Sequence, residues 1–150
     1  MNEIFKILEE INKLEERREP EKIFEYLSYP SFLVRERAAM AIARTGRHLR
    51  EKVLHILLKG YWFEKGASLI ILGEWANEND INIIINFLDD KNSYIMEKAA
   101  LSLYKMLKKL PTLPQNFDPN ILKRLYQIFI SLQKTEYAED LKKTFKEFFN

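Results

Sequence analysis

The sequence contains no cysteine. That excludes disulfides, thiolate metal sites and a cysteine nucleophile, and it fits a reducing cytoplasm. Only four glycines and five prolines interrupt 150 residues, so long regular elements are expected. The two histidines, His48 and His55, are seven positions apart. On one helix they would lie two turns, roughly 10 Å, from each other, too far to chelate one ion unaided. No metal and no cofactor are expected. Charge of neither sign dominates: the net value of +2 does not by itself call for a polyanionic partner. The apolar run Gly66–Gly73 is far shorter than the ~20 residues a membrane helix needs, so no membrane partner is expected. The opening stretch MNEIFKILEEINKLEERRE is acidic and amphipathic, unlike a secretory signal. There is no glycine-rich phosphate loop and no nucleophile motif, so catalytic residues are not expected.

What is present is a repeat. Hydrophobic residues at 47% and charged residues at 31% give the balance of one globular domain over residues 1–150. Abundant Ile, Lys and Glu with few Gln fit a thermophile. Within the domain, FLDDKNSYIMEKAALSLYKML from Phe87 reads as a helix end, a polar turn and a second helix centred on Ala99-Ala100. YLSYPSFLVRERAAMAIA from Tyr26 and LLKGYWFEKGASLIIL from Leu57 follow the same grammar. Aligning Ala38-Ala39, Gly66-Ala67 and Ala99-Ala100 superposes Glu36, Glu64 and Glu97, then Arg37, Lys65 and Lys98, then Ile42, Ile70 and Leu103. Recurrence of this kind predicts a stacked helical array.

Taken in order, Ile4, Ile7, Leu8, Ile11 and Leu14 mark the apolar face of a first helix. Pro20 suits the first turn of a short second helix carrying Ile23, Phe24 and Leu27. Ser31 is placed to cap a third helix that ends at Thr45-Gly46, where a left-handed glycine is expected. A fourth helix over 48–58 precedes a fifth, Trp62–Trp75, that is apolar on nearly every side and therefore belongs mid-stack. INIIINFL, from Ile81, alternates like a strand, but the repeat register requires a helix there. Asn92 caps a seventh helix, 111–114 forms the longest break, and Asp118-Pro119 opens an eighth. Tyr137, Leu141, Phe145 and Phe148 share one face of the last. The expected fold is all-α, with about nine helices: a capping helix over 1–19 and hairpins over 20–46, 47–76, 80–110 and 118–149.

The stretch Tyr29-Pro30-Ser31-Phe32-Leu33-Val34-Arg35-Glu36-Arg37-Ala38-Ala39-Met40-Ala41-Ile42 resembles the HEAT-repeat pattern Asp-Pro-Asp-x-x-Val-Arg-x-x-Ala-Ala-x-Ala-Leu. Asp90 to Leu103 follows it less fully, and the middle copy keeps only the small pair and its flanks. The likeness extends over about Ile23–Leu107 and includes the short, phycobilin-lyase-like form of the family. It implies a right-handed α-α superhelix, armadillo-like in build. Its second helices would line a concave face that holds a protein or a nucleic acid. In the family a turn aspartate pairs with the repeat arginine. Here Tyr29 stands in place of the aspartate for Arg35, and Met96 stands in place of the arginine for Asp90, so that ladder is not expected.

Two features carry the functional reading. From Arg35 to Lys52 six bases, Arg35, Arg37, Arg44, Arg47, Arg50 and Lys52, face only Glu36 and Glu51. The stretch reads either as a solvated face or as a basic site, with the arginines projecting outward. Tyr61, Trp62, Phe63 and Trp75 form an aromatic cluster, read either as core or as an exposed platform. Asp89-Asp90 reads as a solvated turn before it reads as an acid–base pair. The leading expectation is a non-enzymatic scaffold that grips a protein partner carrying an acidic patch. The alternative is a nucleic-acid binder using Arg35–Lys52, and an enzyme akin to helical-repeat glycosylases or bilin lyases is third.

Overall fold

The structure, a computed structural model, describes residues 2–149. Among these residues every regular element is helical. The α-helices are α1 (Asn2–Glu16), α2 (Phe32–Thr45), α3 (Arg50–Lys59), α4 (Trp62–Trp75), α5 (Ile81–Ile85), α6 (Ser93–Lys109), α7 (Asn120–Ser131) and α8 (Thr135–Thr144). Short 3-10 turns lie between several of them. None of the described helices is long and apolar enough to cross a membrane.

Local chemistry sets the starts. The Ser31 hydroxyl accepts the Val34 N–H at 3.4 Å and opens α2. Asn92 does the same for α6, accepting from Tyr94 at 2.9 Å and Ile95 at 3.2 Å. Asp118 accepts the Asn120 N–H at 2.9 Å ahead of α7. At α4 the Glu64 carboxylate reaches back to the Tyr61 N–H at 3.0 Å.

Four expectations need correction. Residues 20–28 form two 3-10 turns, Pro20–Lys22 and Phe24–Ser28, not an α-helix. The segment between Pro20 and the Tyr29-Pro30 break is too short to reward α-helical nucleation. The segment from Ile81 is α-helical only to Ile85 and tightens to 3-10 over Asn86–Asp89. Its run of β-branched isoleucines weakens the helix. Helix α8 stops at Thr144, so Phe145 and Phe148 fall beyond it. Gly46 is not left-handed, with φ at −118°. An added Cβ would meet the Pro20 Cβ at 3.0 Å, so close approach explains the glycine.

The packing order follows the chain. Each first element lies against the helix after it: 24–28 on α2, α3 on α4, α5 with 86–89 on α6, and α7 on α8. The second helices also pack on one another, α2 between α1 and α4, and α4 between α2 and α6. Tyr104 of α6 meets Tyr137 of α8 edge to face at 5.3 Å, and its hydroxyl donates to Asp140. Lys108 reaches the same carboxylate at 2.7 Å. The Lys108 and Tyr104 bonds hold the Asp140 carboxyl below its usual range.

All six residues of the aligned small pairs, Ala38, Ala39, Gly66, Ala67, Ala99 and Ala100, are buried. At Gly66 the small residue makes room for α6. A Cβ on Gly66 would overlap the Tyr94 ring of α6. One turn-pair later, a Cβ on Gly73 would sit 2.9 Å from the Ser102 Cα. Between them the Ser102 hydroxyl donates to the Leu69 carbonyl.

Gly73→Ala forces backbone of α4 away from backbone of α6, an overpacking expected to cost about 1–3 kcal/mol. Its chemical-denaturation midpoint should fall clearly; an unchanged midpoint contradicts the close approach. Helix α1 buries Ile11 and Leu14 on α2. Removing residues 1–18 should expose that flank and give dye binding or self-association. A monomeric truncation of undiminished stability contradicts the contribution of this packing.

Candidate binding surface

Helices α2, α4 and α6 start together and finish together. At the start, Phe32 and Tyr94 lie 6.0 Å apart, and Trp62 and Tyr94 5.5 Å apart. At the finish, the Trp75 indole donates to Ala43 O at 2.8 Å and Lys109 to Glu74 O at 2.9 Å. Because Gly66 has no side chain, residues of α2 and α6 meet across α4. Lys98 and Glu36, 62 positions apart, form an ion pair at 2.8 Å. Lys98 also sits 5.3 Å from the Phe32 ring and 5.4 Å from the Tyr94 ring.

Beyond this bridge a depression of about 200 Å³ opens over Ile70. Met40 of α2, Leu101 of α6 and Tyr137 of α8 supply its other apolar walls. Glu36, Lys98 and Lys105 supply its charged rim. A floor of half-exposed apolar side chains inside a polar rim is the makeup of a protein-binding patch. A larger hollow, about 590 Å³, lies between α1 and α2. It is wide and polar, and its Arg37 and Arg44 are both already paired with Glu15, so the smaller depression is the better candidate.

The basic stretch does not form one outward-facing site. Arg35 is a correction: it is 8% exposed, not projecting, and donates to Tyr29 O at 2.8 Å. The arginine thus holds the turn ahead of its own helix through a backbone carbonyl. Arg37 and Arg44 do come together, both on Glu15 of α1, at 2.7 and 3.4 Å. Arg47 donates to Trp75 O at 3.0 Å. Arg50 pairs with Asp80, which is fully buried. Lys52 lies 4.5 Å over the Phe24 ring. These bases reach Tyr29, Glu15, Trp75, Asp80 and Phe24, five separate points of the fold.

The aromatic cluster divides. Trp75 is core, 6% exposed, while Tyr61 and Trp62 are 71% and 48% exposed. Phe63 stacks on Tyr61 at 5.7 Å, and the Arg35 guanidinium lies 5.5 Å from its ring centroid. Burial first, then Glu36, pushes the Tyr94 phenol above its usual value, while adjacent Arg35 pulls the other way.

Sequence reading missed Met40, Leu101 and Tyr137 in the depression and Phe32 and Tyr94 on the rim. The signal was present in part. Met40 and Leu101 both follow the small pair directly. Leu33, Tyr61 and Tyr94 all stand five positions before its first member.

Truncating Arg50 to alanine leaves the buried Asp80 carboxylate without its partner, which is expected to cost about 3–5 kcal/mol. Lys52→Ala, on an exposed side chain, should move the denaturation midpoint little. Equal effects of the two would contradict the structural role given to Arg50.

No protein-family model, no curated protein and no solved structure matches the chain.

Proposed function

We propose that this chain is a helical-repeat scaffold that holds a segment of another protein and performs no chemistry on it. In this reading α1 caps a right-handed, HEAT-like superhelix. The second helices α2, α4, α6 and α8 line its inner face, and the first elements form its outer face. The observation that carries the reading is the depression over Ile70, walled by Met40, Leu101 and Tyr137 and rimmed by charge. The partner offers an apolar side chain to that floor and acidic groups to Lys98 and Lys105. A cysteine-free chain of this kind fits the cytoplasm, and the reading needs no cofactor.

The basic stretch favours a protein over a nucleic acid. A polyanion requires several cations free to meet successive phosphates. Arg35, Arg37, Arg47 and Arg50 are engaged within the fold, although Arg44, Arg47 and Lys52 keep exposed surface.

A photo-crosslinking side chain at Met40 or Leu101, used in native cell extract with and without nuclease, tests the proposal. Protein adducts that survive nuclease are expected. In parallel, labelled oligonucleotides are titrated at low salt against wild type and an Arg44→Ala/Arg47→Ala/Lys52→Ala variant. Tight binding that falls steeply with salt and disappears in the variant, without protein adducts, would replace this reading with the nucleic-acid one.

A further inference from the structure

Seven large hydrophobic side chains of the described chain are strongly exposed. Four of them, Phe32, Leu33, Tyr61 and Trp62, belong to the opening turns of α2 and α4. Ring contacts from Tyr94 draw the first turn of α6 into the same patch. Clustered apolar exposure marks an interaction surface. Beside Phe63, which meets Trp62 edge to face, and beside Tyr94 lies a cation without a counter-ion among the described residues. Arg35 is 8% exposed, and no carboxylate of the described residues pairs with it. Its Nη1 donates to Tyr29 O, and its Nε is buried without an acceptor. The Tyr94 hydroxyl is also buried; Arg35 is its near neighbour but makes no well-aligned hydrogen bond to it. Glu36, the nearest acid in sequence, is committed to Lys98.

The site therefore holds a guanidinium N–H without an acceptor and a hydroxyl free to donate, and none of the described carboxylates pairs with the cation. A guanidinium cannot lose its proton to relieve this, and it has no acceptor function. An amide oxygen would satisfy one donor. A carboxylate brings two acceptor oxygens and the missing negative charge, and hydrogen bonds between charged groups are the stronger kind. The helix N-termini around the patch add partial positive charge of the same preference. A phosphate backbone fits worse, because one guanidinium, with Glu36 and Glu97 near Tyr94, cannot follow a chain of phosphates.

We propose that the aromatic rim is a peptide-docking site that recognises a side-chain carboxylate through Arg35 and Tyr94. The occupant is an extended segment of a partner protein with an Asp or Glu at the anchor. An aromatic or leucine side chain next to it lies on Phe32 and Trp62. This rests on the scaffold reading and assigns its recognition chemistry to the mouth of the groove, one bridge away from the depression over Ile70.

The test uses the intact chain and an immobilised library of short amidated peptides. Each carries one Asp or Glu beside an aromatic or leucine residue, and a matched library carries Asn or Gln instead. Wild type should bind members of the acidic library at least about tenfold tighter than their amide counterparts, the difference a buried charged donor makes. Trp62→Ala, an exposed position, should weaken binding with the fold intact. Arg35→Gln should abolish the carboxylate preference, and Arg35→Lys should restore it in part. On titration of a bound peptide, the Arg35 Nε–H resonance should shift. Equal binding of both libraries, no binding of either, or an unmoved Arg35 resonance on binding would overturn the proposal. So would binding lost in Met40→Glu/Leu101→Glu but untouched by Arg35→Gln and Trp62→Ala. That last result would leave the scaffold reading standing, since crosslinking at Met40 and Leu101 tests it separately.

Discussion

At Gly66 and Gly73 nothing but hydrogen stands between the backbone of α4 and the face of α6. Tyr94 lies over the first position and Ser102 over the second, and the Ser102 hydroxyl bonds Leu69 O. The remaining geometry follows from this close approach. Tyr94 can reach Phe32 and Trp62 only because Gly66 leaves the surface of α4 low. Lys98 meets Glu36 of α2 beside this crossing. One turn on from Gly66, Ile70 lies in the depression that the Glu36 and Lys98 pair borders. Small residues thus set the packing of α4 on α6 and the shape of the surface beside it.

The charges act chiefly within this array. Glu15 gathers Arg37 and Arg44, Arg50 neutralises Asp80, Arg124 pairs with Asp89, and Glu97 faces Lys134 at 3.9 Å. Each contact joins elements far apart in sequence. Exposed pairs of this sort add little stability one by one, but the buried Asp80 cannot do without its arginine. The polarity along the chain, basic from Arg35 to Lys52 and acidic from Glu74 to Asp90, reflects in part this internal matching. Arg50 and Asp80 come from opposite ends of it. A cluster of like charges in sequence therefore gives no surface potential until its partners are known.

Much of the helix pattern was legible because its causes are local. Ser31, Asn92 and Asp118 announce their helices by side-chain capping, and the all-round apolar run of α4 announces its central place. Less legible were segments in which opposing preferences nearly balance. The isoleucines after Asp80 favour extended backbone while the packing favours a helix, and the outcome is one α-helical turn followed by 3-10. The surface was harder again. Nothing local distinguishes Trp62, which is exposed, from Trp75, which is buried, since both belong to one helix. Arg35 looked outward by its spacing from Val34 and Ala38, yet α2 is covered on three sides, by α1, by 24–28 and by α4. Which flank a residue faces depends on neighbours 30 or more positions away, as Lys98 and Glu36 illustrate.

The meeting of α2 and α6 across Gly66 is the centre of this account, and proton–proton contacts in solution test it most directly. In nuclear Overhauser spectra the Tyr94 ring protons are predicted to show cross-peaks to the Gly66 α-protons and to the Phe32 ring. Cross-peaks from Tyr94 confined to its own helix, in a folded sample, would contradict the account.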